Sequence, residues 1–351
     1  MHHFFLLGLL LLLSACKDVQ SLQVRDGPYV SKGPKQWQAL WVCDGLAKSY
    51  TFPPLIEPRV IEKCGLSAQL QVDPAKRPAI SYPAVQKLAV LSDIHGQFDV
   101  MKRLLTANHI TDDAGNWIFA KGHLVVVGDV FDRGDKVTEV LWLLYQLEQQ
   151  ALAVGGRVHL LLGNHEVMTL NGDLRYMHKQ YQLVENVLDK SIPQLYGKDT
   201  VLGQWLQTRN VLVKIGDMLF AHGGFNPELA KQERSLAEIN HIFTANLIED
   251  KRFVREDFAK YLHKSDGLIW YRGYFRAPKA TEQDIALLKS VYGVKHIIVG
   301  HTTQDQVVGL YDNAIIAVDS GIKRGQSGEI LIVVEDRFYR GLLDGSRIPL
   351  N

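Results

Sequence analysis

The sequence predicts an α/β protein with mixed sheets (α+β in its later half), arranged as a double sheet flanked by helices. Three observations predict it. The short apolar runs KLAVLSD, HLVVVGD, VHLLLGN and KHIIVGH each end in a polar or glycine-containing loop, as buried strands do. Between the first three lie stretches of helical character, Phe98 to Asn108 and Lys136 to Gln149, so strand and helix alternate. VLVKIGDMLFAHGG reads instead as a hairpin around Gly216 and Asp217, and NAIIAVDSG and GEILIVVED read as further antiparallel strands.

Taken in chain order, the first element is a leader at residues 1–15. Its apolar run from Phe4 to Leu13 is too short to span a bilayer comfortably but suits the core of a signal peptide. It ends in Leu13, Ser14, Ala15 and Cys16. That tetrad is similar to the bacterial lipobox, in which cleavage before the cysteine leaves a lipid-modified N-terminus. A plain secretory signal cut after Ala15 is the alternative, and His2 and His3 stand where a lysine or arginine is usual. Either reading exports the chain to the periplasm. Lipidation of Cys16 with several acyl chains would anchor it firmly, and Lys17 after the cysteine favours the outer membrane.

With Cys16 set aside, Cys43 and Cys64 are an even pair in an oxidising compartment. A disulfide closing a loop of about twenty residues is expected, worth roughly 3 kcal/mol on the chain-entropy account, with two buried free thiols as the alternative. Residues 16–85 carry most of the prolines and turn signals such as Asp26-Gly27-Pro28 and Phe52-Pro53-Pro54. They read as an irregular N-terminal region, partly strands, laid against the main domain. That main domain is residues 86–351, with polar, helix-like insertions at about 170–210 and 226–290.

Composition narrows the function classes. A formal net charge of +1 over 351 residues, without any long run of one sign, gives no support for nucleic acid as a partner. Contact with a membrane is expected only through the N-terminal anchor.

Chemistry concentrates at strand ends. LSDIHG places Asp93 and His95 after one apolar run, VVGDVFDRG places Asp129, Asp132 and Arg133 after another, and LLGNHE, LFAHGG and IVGHTT add Asn164, His165, His222 and His301. Any one of these has a bland reading as a turn or a helix cap. Five in order, each directly after a buried strand, point to a single crevice, because ligands of open α/β sheets gather at the carboxyl ends of strands. Carboxylate, amide and imidazole without thiolate suit manganese, iron or zinc rather than a structural zinc site. Two such ions can clamp both oxygens of a phosphoryl displacement and acidify a bridging water into the nucleophile, so no serine or cysteine is needed. Arg133 between two aspartates then forks onto phosphate oxygens.

Asp-x-His-Gly, GDxxDRG, GNHE, HGG and GHT, in this order over roughly residues 88–325, resemble the PPP-type phosphoprotein phosphatases of the calcineurin-like metallophosphoesterases. The resemblance implies a four-layer αββα sandwich and two divalent metal ions. It implies one ion on Asp93, His95 and Asp129 and the other on Asp129, Asn164, His222 and His301, with Asp129 bridging. It makes His165 the general acid, oriented by Asp132. Arg133 and Asn164 would bind the phosphate with a second arginine from the insertion after HGG. Arg272 of LIWYRGY is the candidate, and Arg276 and Arg324 compete.

Two departures matter. Leu162 stands where eukaryotic serine/threonine enzymes have an arginine, and AVDSGIKRG differs from their C-terminal loop. Both resemble the bacterial Shewanella-like branch, whose members favour phosphotyrosine. A phosphorylated protein or peptide is the implied substrate. A small-molecule phosphoesterase, such as a diadenosine-polyphosphate hydrolase or a diesterase, and a non-catalytic envelope lipoprotein on this fold are the rival readings. Asp319 reads as a ligand-supporting residue or an ordinary strand-end turn, and Trp270, Tyr271, Tyr274 and Phe275 as a ring-stacking group or plain packing.

Overall fold

A computed structural model describes residues 23–73, 75–249, 255 and 257–350; the expected leader and the Cys16 anchor lie outside them. Two six-stranded mixed sheets form the body. In the first, Lys87–Leu91, His123–Val126 and Arg157–Leu160 run parallel, and Ile330–Val334, Arg337–Gly341 and Arg347–Pro349 continue the sheet antiparallel beyond Lys87–Leu91. In the second, Met218–Ala221, His296–Val299 and Ile315–Ala317 are parallel neighbours. Leu212–Ile215 pairs antiparallel with Met218–Ala221, the hairpin turning at Gly216 and Asp217, and Ser81–Tyr82 and Val308–Leu310 are the edges.

Alternation along each strand makes the layers. Leu88, Val90 and Val125 of the first sheet and Val213, Phe220, Ile298 and Ile316 of the second belong to one buried cluster between the sheets. Their sequence neighbours Ala89, Leu91, Leu124 and Val126 join instead the cluster that includes Met101, Leu104, Leu141 and Leu144 of helices Phe98–Ala107 and Val137–Ala153. Helix Glu282–Tyr292 covers the second sheet with Ile285 and Leu288, in the cluster that holds Ile297 and Val299. Its ends are set locally: Thr281 and Asp284 form a reciprocal capping box, and Gly293 closes it in the left-handed region. The order helix, sheet, sheet, helix is the four-layer sandwich. Among the described residues no helix is long and apolar enough to cross a membrane.

The N-terminal region is more regular than its prolines suggest. Asp26–Lys32, Trp37–Cys43 and Leu46–Phe52 form an antiparallel sheet, and Arg59–Lys63 pairs with Leu66–Leu70. Proline is tolerated there because it stands off the ladders: Pro28 falls where the register slips between Asp26 and Tyr29, and Pro53 and Pro54 follow the last residue of a strand. Cys43 and Cys64 are bonded, joining the two β units. A buried polar network fastens this region to helix Val137–Ala153. Tyr29 donates to Asp26 at 2.7 Å, Thr138 bonds Tyr196 at 2.8 Å, and the Trp142 indole N–H donates to the Pro28 carbonyl at 2.9 Å.

Replacing Cys43 and Cys64 together by serine is expected to lower the unfolding free energy by roughly 3 kcal/mol. Denaturant midpoints at an unchanged slope measure it; an unmoved midpoint would mean the two hairpins hold their places without the bond.

Candidate metal centre

Strand ends of both sheets meet where the sequence puts its acids and imidazoles. Asp93, His95, Asp129, Asp132, Asn164, His165, His222 and His301 are all at most 5% exposed. Gly163 and Gly300 let them approach. A Cβ at Gly163 would stand 2.3 Å from Asp129 Oδ1, and one at Gly300 would stand 2.0 Å from Ser92 Oγ. The backbone is bent to match: Asp93, His95, Asp129, Asp132, Arg133 and His301 all have φ between 48° and 73°. A non-glycine residue there costs on the order of 1 kcal/mol, and such strain gathers at functional sites. Main-chain bonds hold the turns: His95 N to Asp129 O at 3.0 Å, Gly134 N to His95 O at 2.9 Å, and His301 N to Asp93 Oδ2 at 2.9 Å.

The centre is built of imidazoles facing carboxylate and amide oxygens. His222 Nδ1 lies 2.7 Å from the Val127 carbonyl and His95 Nδ1 lies 2.6 Å from the Phe131 carbonyl. Each ring therefore spends its Nδ1–H on main chain and turns Nε2 inward. His222 Nε2 meets Asp129 Oδ2 at 3.1 Å, Asn164 Oδ1 at 3.1 Å and His301 Nδ1 at 3.2 Å. His95 Nε2 lies 3.7 Å from Asp129 Oδ2 and 3.9 Å from Asp93 Oδ1. Such an arrangement calls for positive charge.

The ionisation equilibria say the same. Burial and Asp319 push Asp93 up to about 8. Burial opposes a charge on His222, yet Asp129 beside it carries its pKa up to about 9. Burial likewise opposes ionisation of Asp129, but His222 and His165 hold it well below the ordinary carboxylate range. Burial drives His95 down to about 3 and, with His222, drives His301 down to about 2, leaving neutral imidazoles of the kind metals take. These residues fit divalent metal ions, and two groups of donors share Asp129: one with His95 and His165, the other with His222 and His301. By distance alone His165, with Nε2 3.8 Å from Asp129 Oδ2, stands as near as His95.

His165 is distinguished by its other nitrogen, which is bonded to the buried carboxylate of Asp132. Burial lowers its pKa, but Asp129 and Asp132 outweigh burial and raise it. Arg133 and Arg272 line the same cavity of about 380 Å³. Arg133 Nε donates to His95 Nε2 at 3.3 Å, and Arg272 is tied to the His301 carbonyl at 2.9 Å and to Thr302 Oγ1 at 3.1 Å. Arg276 lines the cavity as well, whereas Arg324 pairs with Asp305 at 3.3 Å and does not. Of the four aromatic residues in the insertion, Trp270 lines the cavity, Tyr274 is buried, and Phe275 packs against the core. Asp319 is fully buried and bonds Thr303 and Lys323, the latter a cavity residue.

Sequence reasoning passed over Glu166, Tyr176 and Lys323. Glu166 accepts from the main-chain N–H of Asp129 at 2.8 Å, Val130 at 2.7 Å and Gly163 at 2.7 Å, and so locks two ligand-bearing turns together. Its place in GNHE was the available signal. Tyr176 carries the carbonyl that accepts from Arg133 N at 3.0 Å, and its ring lies 5.5 Å from the guanidinium. No motif marks it.

Comparisons with known proteins agree with this geometry. The calcineurin-like phosphoesterase family profile matches residues 86–305. The chain is 42% identical to a cold-active protein-tyrosine phosphatase of a psychrophilic Shewanella species, whose crystal structure superimposes with a TM-score of 0.88 over 93% of this chain and 100% of that one. It is 30% identical to Shewanella-like protein phosphatase 1 of Plasmodium berghei, over 67% of each chain. It is 26% identical to Shewanella-like protein phosphatase 2 of Arabidopsis thaliana, over 76% of this chain and 78% of the relative.

Glu166→Gln keeps the shape but replaces an acceptor oxygen with a donor facing main-chain N–H groups. Metal affinity is expected to fall about 10- to 100-fold, as for other supporting partners of ligands. Calorimetric titration with manganese measures it, and an unchanged affinity would show that the turns hold their ligands unaided.

Proposed function

Because the chain belongs to the calcineurin-like phosphoesterases and, within them, to the Shewanella-like phosphatases, we propose that it hydrolyses phosphate monoesters on protein substrates, with phosphotyrosine preferred. One observation carries the reading. Arg133 and Arg272, neither of them ion-paired among the described residues, line the cavity that holds Asp93, His95, Asp129, Asn164 and His301. A dianionic terminal phosphate is the group that two guanidiniums without an ionic partner and a cation-seeking cluster suit together. A diester, with one charge fewer and a second substituent, uses them less well.

Asp93, His95 and Asp129 would hold one divalent ion, and Asp129, Asn164, His222 and His301 the other. When bound, such a pair supplies positive charge to phosphoryl oxygens and makes a water acidic enough to serve as nucleophile near neutral pH. The remaining steps belong to the side chains. Arg133 and Arg272 orient the phosphoryl group. His165, its ring fixed by Asp132, gives a proton from Nε2 to the departing oxygen. Tyr176 and Trp270 line the cavity and offer aromatic faces to an aryl ester, which supports the tyrosine preference.

We extend the proposal to location: an exported, periplasmic enzyme held to the outer membrane through Cys16. The Cys43–Cys64 bond supports an oxidising compartment. Mass spectrometry of the mature N-terminus is expected to find an acylated Cys16; an intact Met1 would sink the idea.

Matched phosphotyrosine and phosphoserine peptides and a bis-aryl diester test the reaction. The phosphotyrosine peptide is expected to lead in kcat/KM by at least about tenfold, a gap within reach of pocket contacts alone. A diester preference would overturn the reading. Chelation is expected to abolish turnover and to lower unfolding free energy by about 3 kcal/mol for each ion removed, relative to a hundredfold excess of ion over its Kd. Asp129→Asn should abolish both effects of the ion.

A further inference from the structure

The catalytic cavity continues past its own mouth. Trp270, Arg272 and Arg276 line both it and an adjoining groove of about 780 Å³ that reaches Pro227, Lys279 and Asp284. The shared wall is fastened to the loop that carries His222. The Leu268 carbonyl accepts from Gly223 N at 2.6 Å and Gly224 N at 3.2 Å, and the Tyr274 hydroxyl bonds both the carbonyl and the N–H of Phe225, at 2.7 and 2.9 Å. The groove is thus preformed at a fixed offset from the reacting phosphorus.

Its charges are uneven. Glu228 is paired with Lys231 at 2.5 Å, and Asp284 accepts from Thr281 N and Oγ1, both at 2.8 Å. Two of the groove's acids are therefore engaged, and only Asp266 faces it without a partner among the described residues. At the junction the unmet charge is positive. Arg276 is exposed and makes no side-chain bond among the described residues, and its main-chain N–H donates to the Arg272 carbonyl at 3.1 Å, so the two residues stand one turn apart and both line the cavity and the groove. The phosphate of a monoester already has Arg133, Arg272 and the metal ligands. With Arg133 and Arg272 placed on the phosphate, Arg276 is left at the mouth of the groove.

We propose that the groove receives the polypeptide flanking the phosphorylated residue, and that Arg276 binds an anionic side chain adjacent to it, a carboxylate or a second phosphate. This rests on the protein-phosphatase reading above and deepens it. A short aryl phosphate occupies the cavity alone, whereas a peptide with an acidic neighbour also engages the junction.

The test uses the full, metal-loaded chain and four sets of phosphotyrosine peptides: alanine-flanked, glutamate-flanked and phosphoserine-flanked on either side, and glutamate placed five residues away. Adjacent acid is expected to raise kcat/KM about tenfold over alanine, chiefly through KM, the increment of one charge-assisted hydrogen bond. Arg276→Met should bring that ratio below about twofold, and Arg276→Lys should restore part of it, since a lysine keeps the charge without the fork. Phosphonate analogues of the same peptides, followed by tryptophan fluorescence, should give the same ratios as dissociation constants. The glutamate and phosphoserine arms tell which anion is preferred. Equal rates on all peptides, or a ratio that survives Arg276→Met, overturns the assignment of Arg276 and leaves the phosphatase reading standing. Turnover of aryl phosphate or a dinucleotide with none of any peptide overturns both.

Discussion

The structure turns on a small buried volume in which carboxylate, amide-oxygen and imidazole groups are pressed together. Asp129 Oδ2 lies 3.1 Å from His222 Nε2 and 3.7 Å from His95 Nε2, and both rings have committed their N–H to main-chain carbonyls. In water such groups would simply turn away. Here they are buried, and a buried charge without a partner is among the costliest things a fold can hold. A cation removes that cost, so the site is a demand for positive charge written in geometry.

Much of the surrounding architecture keeps that geometry from relaxing. Six site residues sit in left-handed backbone, which only a rigid surround maintains. Glu166 supplies part of it, accepting four main-chain N–H groups from turns on different strands. The interleaved aliphatic layer between the sheets supplies the rest, since close-packed side chains transmit displacement instead of absorbing it. A ligand cannot shift without moving a strand, and a strand cannot shift without opening the core.

How much of this was legible in the sequence follows from how local each signal is. Asp93, His95, Asp129, Asn164, His222 and His301 each follow an apolar run within a few residues, so the strand and its ligand are read in one window. Glu166 lies in the same window but works through main-chain atoms more than thirty residues earlier, and no pattern of residue types marks such bonds. Tyr176 and Lys323 reach the cavity from an insertion and a late loop, where position depends on tertiary packing. Choosing among Arg272, Arg276 and Arg324 needed the fold, because only the first two face the cavity. The N-terminal β units were blurred by prolines, which accumulate at the breaks between strands and hide the alternation within them.

The polar network around Tyr29, Thr138 and Trp142 bears on where this molecule can be divided. The family match spans residues 86–305, yet Ile330–Val334 is hydrogen-bonded into the middle of the first sheet beside Lys87–Leu91. Upstream, the Pro28 carbonyl receives the Trp142 indole and Tyr29 covers Thr138. A fragment trimmed to residues 86–305 would lose a central strand at one end and expose a helix's unsatisfied polar face at the other. The unit recognised by kinship is smaller than the unit that the first sheet and the polar network hold together.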